Sequence, residues 1–177
     1  MNCMPMASSS NHYEQVFENW LIDNRIGYVP VDQAKRAVFA RSKIKSFDFL
    51  IYPRDGRSEI ILAEVKGRKF SGASLKNLTG LQCWVTADDI SGLARWEKVF
   101  GQGYVGAFVF AYQFEKIDVE LDGRQVYDFG GRRYLFLSVR LEDYRTFMTL
   151  RSPKWQTLSL PAENFRASAV EIGTLLR

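Results

Sequence analysis

Two apolar runs separated by a tight break constrain this chain more than any other feature. They are "SFDFLIYP" (Ser46 to Pro53) and "SEIILAEVKG" (Ser58 to Gly67), with "RDGR" between them. Both runs are rich in β-branched and aromatic residues, and Pro53 and Gly56 interrupt them, so the segment predicts a β-hairpin whose second strand stops at Gly67. If the turn centres on Gly56, residues equidistant from it face each other, and Asp48 stands opposite Glu64. Directly opposed side chains hold their Cβ atoms roughly 5 Å apart. Strand side chains alternate, so Glu64 and Lys66 share a face with Leu62. The hairpin therefore brings two carboxylates and a lysine to one place on an apolar sheet.

Like charges held that way destabilise a sheet unless something neutralises them. A divalent cation bridging both carboxylates would do so, and Mg²⁺ suits oxygen sites made of one or two carboxylates, water and substrate phosphate. Lys66 would then stand beside the metal, able to stabilise developing charge or to position or deprotonate a water. Ordinary explanations exist for each residue alone. An acid-x-Lys pair commonly marks a solvated strand face, and Asp48 has Lys45 nearby to pair with.

The remaining chain predicts a mixed α/β sheet flanked by helices in a single domain. Residues 11–25 read as a helix with Tyr13, Val16, Phe17, Trp20 and Leu21 on one stripe, opened by an Asn11–Glu14 capping pattern and ended by Gly27. A short strand over Tyr28–Val31 and a short basic helix from Asp32 to Phe39 follow. Residues 68–80 read as a basic loop and "LQCWVT" as a short strand. Thr86 and Asp89 form a second capping box, opening a helix to about Phe100 with Ile90, Leu93, Trp96 and Val99 inward. "GYVGAFVFAYQF" is expected as a central strand. A hairpin turning at Gly130–Gly131, a helix over Glu142–Phe147, a strand "WQTLSL" and a helix after Pro161 complete the reading.

Composition narrows the function classes. The chain has 177 residues, enough for one domain, and a net charge of +4. Its two cysteines, Cys3 and Cys83, and single histidine, His12, speak against a disulfide framework and multi-histidine metal sites. They fit a reducing, cytoplasmic setting. No apolar run reaches the ~20 residues of a membrane span. Residues 1–10 show no basic start or apolar stretch and read as a mobile tail ahead of a domain over 11–177. Lys35, Arg36, Arg41, Lys43 and Lys45 crowd into one acid-free stretch before Asp48, and Arg68 and Lys69 follow Lys66. Such runs are usually solvated faces, but here they flank the acidic pair. Trp84, Trp96 and Trp155 read first as core, with any exposed member marking a partner surface.

Taken in order, Glu14 in "HYEQVFENWL", Asp48 in "SFDFLIY" and Glu64 with Lys66 in "LAEVKGRK" resemble the PD-(D/E)XK nuclease superfamily, the restriction-endonuclease-like fold. Their layout looks most like that of Holliday junction resolvase-like nucleases, and a bacterial branch is the expected home. The likeness covers about residues 11–70. It implies that Asp48, Glu64 and the backbone carbonyl of Val65 hold a catalytic Mg²⁺ or Mn²⁺. It further implies that Lys66 is the catalytic lysine and that Glu14 assists, as a ligand directly or through water, with Glu18 one turn on as its competitor. Gln82 is the only candidate for the glutamine that some relatives carry after the motif strands. Phe47 stands where the motif has its proline. The implied activity is hydrolysis of DNA phosphodiesters by metal-activated water. Lys35, Arg36, Arg41, Lys43, Lys45, Arg68 and Lys69 would hold the phosphate backbone, and DNA is favoured over RNA by family habit. Many such enzymes cut as homodimers. The competing readings are a catalytically silent nucleic-acid-binding or scaffold module on the same fold, and a protein-interaction domain.

Overall fold

The computed structural model describes residues 12–31, 45–54 and 59–176. In chain order its elements are α1 (His12–Asp23), β1 (Gly27–Pro30), β2 (Phe49–Tyr52), β3 (Ile60–Phe70), β4 (Val85–Thr86), α2 (Ala87–Phe100), β5 (Tyr104–Phe114), β6 (Tyr127–Phe129), β7 (Arg132–Arg140), α3 (Leu141–Phe147), β8 (Thr149–Ser152), β9 (Thr157–Ser159), α4 (Ala162–Ser168), β10 (Val170–Glu171) and α5 (Ile172–Leu175). The main sheet runs β1-β2-β3-β5-β7-β10, with β6 also on β7, and a small second sheet runs β4-β9-β8. No helix among the described residues is long and apolar enough to cross a membrane.

The hairpin register is the one expected about Gly56. Phe49 pairs with Ala63, Leu50 with Leu62 and Ile51 with Ile61. The turn at 55–58 lies outside the described residues, as do the tail and the basic helix expected over 32–39. β3 continues in parallel with β5 along its whole length, from Ile60↔Tyr104 to Phe70↔Phe114. Parallel strands need a crossover, and α2 supplies it. β5, with β3 on one side and β7 on the other, is central as its apolar run predicts.

The sheet separates two cores. On one face Val16, Phe17 and Leu21 of α1 cover Ile51, Ile61, Ala63, Val65, Ala107, Val109 and Ala111. On the other, Ile90 and Leu93 of α2, Leu141 and Tyr144 of α3 and Phe165 of α4 pack with Leu62, Phe108, Phe110 and Tyr112. Each fully buried large apolar side chain contributes about 1.5–3 kcal/mol. α2 begins where its capping box sets it: Asp89 N–H donates to Thr86 Oγ1 (3.1 Å), and Thr86 N–H donates to Asp89 Oδ2 (2.8 Å).

Several sequence expectations need correction. Gly67 does not end β3, and residues 68–70 are strand, not loop. The glycine is there because the Tyr13 ring of α1 lies on it; a Cβ at this position would sit 2.0 Å from Tyr13 Cδ2. Val99 is 63% exposed. It is half a turn from Ile90 at 100° per residue, and Glu97 takes the inward position, accepting the Gly106 N–H at 2.6 Å. Only Val85 and Thr86 of "LQCWVT" are strand, and β8 was not foreseen.

Candidate active site

A cleft of about 390 Å³ opens beside the charged half of β3, bounded by α1, the segment before β2 and the first turn of α2. Register delivers its floor. Asp48 and Glu64 are both buried, at 7% and 6% exposure, and both line it. Asp48 Oδ2 accepts the Val65 N–H at 2.7 Å, which ties the carboxylate just ahead of β2 to the backbone of β3. Lys66 reaches back along its own face and donates to Glu64 Oε1 at 2.8 Å. Glu14 lines the cleft from α1, next to the Tyr13 that rests on Gly67.

Asp89 also lines the cleft, a residue read from sequence only as a helix cap. Its carboxylate lies 3.0 Å from Lys66 Nζ and accepts a hydrogen bond from Lys45 Nζ. Lys45 Nζ is also 3.9 Å from Glu64 Oε1. The segment holding Lys45 lies flat on α2: Trp96 Nε1–H donates to Lys45 O at 2.9 Å, and a Cβ on Gly92 would be 2.7 Å from that same oxygen. Two carboxylates, Glu64 and Asp89, thus share two ammonium groups in one network, with the Asp48 carboxylate beside it in the cleft.

The electrostatics of the three acids differ by environment. Burial, and then the neighbouring Asp48 charge, push the Glu64 carboxyl up to about 7 against the pull of Lys66. Burial would raise Asp89 as well, but Lys66, Lys45 and the Thr86 N–H outweigh it and hold Asp89 down to about 2. Burial works against a charged Lys66, yet Glu64 and Asp89 more than offset it and its pKa is raised. Lys66 is therefore an ammonium at neutral pH, a donor and a positive charge rather than a base.

The remaining expected site residues scatter. Arg68 lines the cleft, but its guanidinium lies 3.9 Å from the Trp84 ring centroid and donates to the Gly67 and Trp84 carbonyls. Lys69 faces away, 3.8 Å from Glu115. Glu18 accepts the Tyr28 hydroxyl at 3.0 Å beside β1 and is not part of the cleft wall. Gln82 lines a neighbouring groove and accepts from Trp84 Nε1 at 3.3 Å. Lys35, Arg36, Arg41 and Lys43 lie outside the described residues. No sequence signal marked Asp89 beyond its capping position, because its partners are far away in the chain.

No protein-family model and no curated protein matches the chain. Among solved structures it is similar to Hjc, a Holliday junction resolvase from the archaeal hyperthermophile Archaeoglobus fulgidus, with a TM-score of 0.55 and 14% identity over 95% of this chain and 100% of that one. The fold is restriction-endonuclease-like. At that identity the likeness speaks for the architecture, and the cleft must be judged on its own residues.

By that standard the cleft suits a divalent cation. Asp48 and Glu64 offer two buried carboxylates, with the Glu64 carboxyl raised to about 7 first by burial and then by Asp48, and such an oxygen donor set is of the kind a divalent cation takes. Among the described residues there is no cluster of three or more metal-ligating side chains positioned to enclose an ion. Mg²⁺ does not require one, since it commonly uses one or two carboxylates and fills its octahedron with water and substrate phosphate.

Proposed function

We propose that this protein is a metal-dependent nuclease that hydrolyses DNA phosphodiester bonds in this cleft. The observation that carries the reading is the meeting of Asp48, Glu64 and Lys66 in one buried site on a restriction-endonuclease-like sheet. Asp48 and Glu64, with the Val65 carbonyl, would hold Mg²⁺ or Mn²⁺. When bound, the ion supplies Lewis-acid activation of water and phosphate.

The chain's own residues do the rest. The Val65 N–H fixes Asp48 by the hydrogen bond it donates. Lys66, kept charged by Glu64 and Asp89, places a positive charge where the phosphate passes through its pentavalent state. Asp89 is a positioning residue: it anchors both Lys66 and Lys45 to the first turn of α2. Glu14 closes the cleft from α1. The burial of Asp48, Glu64 and Asp89 keeps the field of Lys66 from being screened.

Calorimetric titration with Mn²⁺ and Mg²⁺ tests the reading, with duplex DNA present and absent, on the wild type, Asp48→Ala and Glu64→Ala. Binding by the wild type that either substitution abolishes is expected, together with divalent-dependent cleavage that Lys66→Ala removes. Salt-sensitive DNA binding with neither metal binding nor cleavage would return the chain to the silent binding module.

A further inference from the structure

Apart from Thr86, whose N–H holds Asp89, the small sheet β4-β9-β8 has no part in the chemistry above, yet it stands directly beside it. We propose that this sheet is a docking surface for an unpaired nucleic-acid strand continuing from the cleft, with Trp155 as the stacking platform and Arg151 and Lys154 as phosphate contacts. The proposal rests on the nuclease reading for what fills the cleft, and it narrows the substrate class to nucleic acid with a single-stranded segment next to the phosphate that is cut.

Trp84 joins the two surfaces. It lines the cleft and also a second groove of about 280 Å³, whose other walls include Leu81, Phe165 and Arg151. The Arg151 guanidinium lies 5.2 Å from the Trp84 ring centroid. The ladder between β8 and β9 shifts register between Leu150 and Ser152, so Arg151 sits at an irregularity of the kind that re-aims a side chain. Further along the same hairpin Trp155 is 70% exposed, with Lys154 Nζ 5.3 Å from its ring centroid. The expectation that Trp155 packs in the core is therefore wrong.

The hairpin is fixed to the active-site helix. β9 pairs with β4 through Val85↔Leu158 and Thr86↔Thr157. The Ala87 N–H donates to Gln156 O at 2.9 Å, and Gln156 holds a left-handed backbone (φ 45°) at the hairpin tip. A strand lying on Trp155 would thus keep a set position relative to Asp89 and Lys66.

Charge and shape select the occupant. From Tyr144 to Ala162 the chain has no Asp or Glu but carries Arg145, Arg151 and Lys154. An exposed indole beside a cation, as Trp155 stands beside Lys154, is the element of sequence-tolerant binding to single strands, where every base offers a face to stack on. In a duplex those faces are covered by neighbouring base pairs, so the indole gains little from it.

The test is fluorescence anisotropy in EDTA and low salt, comparing a labelled 20-nucleotide oligo-dT with a 20-base-pair duplex. The wild type, Trp155→Ala/Arg151→Ala and Trp155→Phe are measured. The double variant is expected to lose about tenfold or more on oligo-dT and less than threefold on duplex, while Trp155→Phe keeps most of the affinity. Equal losses on both ligands, or no loss on oligo-dT, overturn the proposal. So does a wild type that sediments as a dimer and a double variant that sediments as a monomer, which would make the patch a self-interface. If the double variant does not fold, Trp155→Ala alone replaces it under the same criteria. Cleavage by the wild type is scored separately in Mg²⁺. Cutting with Trp155-independent oligo-dT binding sinks this surface alone; Trp155-dependent binding with no cutting of any DNA sinks the nuclease reading alone.

Discussion

On one face of β3, Ile61, Ala63 and Val65 lie under α1 in an entirely apolar layer. On the other, Leu62 gives way to Glu64, Lys66 and Arg68, which line the cleft. The two faces are equally deep where they meet: Val65 is 5% exposed and Glu64 6%. Burying Val65 stabilises the fold, whereas burying Glu64 opposes it unless a partner compensates. Ion pairs to Lys66 and Lys45 only partly do so, since the Glu64 carboxyl remains raised to about 7. One strand thus anchors the sheet with one side and holds a tension with the other.

The sharpest way to break this comparison is Lys66→Ala. It should lower the cleavage rate about a thousandfold, ~4 kcal/mol of barrier, measured in single-turnover assays. Phe17→Ala attacks the opposite face. Phe17 is fully buried against Trp20, Phe49 and Phe136, and its loss should cost about 3–5 kcal/mol of stability in urea denaturation, leaving the rate per folded molecule nearly unchanged. Glu64→Gln should do the reverse, raising stability at pH 7.5 by about 1–3 kcal/mol while abolishing cleavage. A destabilised Glu64→Gln protein would show that the two faces are not opposed in this way.

The pH dependence sharpens the same point. The folded chain holds the Glu64 proton more tightly than the unfolded chain does, so stability should fall as pH rises from about 4.5 to about 7. Asp89 is depressed to about 2, so its contribution is full above about 4 and lost as pH falls below that. Urea midpoints for the wild type and Glu64→Gln at pH 5 and 7.5 should show a decline in the first and a flat line in the second. The smallest effect belongs to Asp89→Asn, which keeps an acceptor for the Thr86 N–H. It should cost about 1 kcal/mol of stability and depress kcat more than KM, because Lys66 loses an anchor rather than a binding contact.

The hairpin register, α1 and the Thr86–Asp89 box that opens α2 were legible because their causes are local: alternating faces, a helical stripe and a cap. What sequence hid had distant causes. Gly67 looked like a strand terminator because Tyr13, which occupies the space of its missing Cβ, lies on another element. Asp89 looked fully explained by its cap, while its ionic partners Lys66 and Lys45 lie in other segments. Trp155 looked like core because nothing in "SPKWQT" announces a hairpin tip turned to solvent. Arg68, counted among free phosphate contacts, proves to be held on Trp84.

The parallel pairing of β3 with β5 also sets a lower limit on how far the molecule can be trimmed. A fragment ending after the hairpin would carry Asp48, Glu64 and Lys66 but lack the helix that bears Asp89, and the crossover has nowhere to dock until Tyr104–Phe114 is in place. The shortest piece able to assemble the whole charge network therefore reaches at least Phe114, and any library of shorter N-terminal fragments screened for cutting should come back empty.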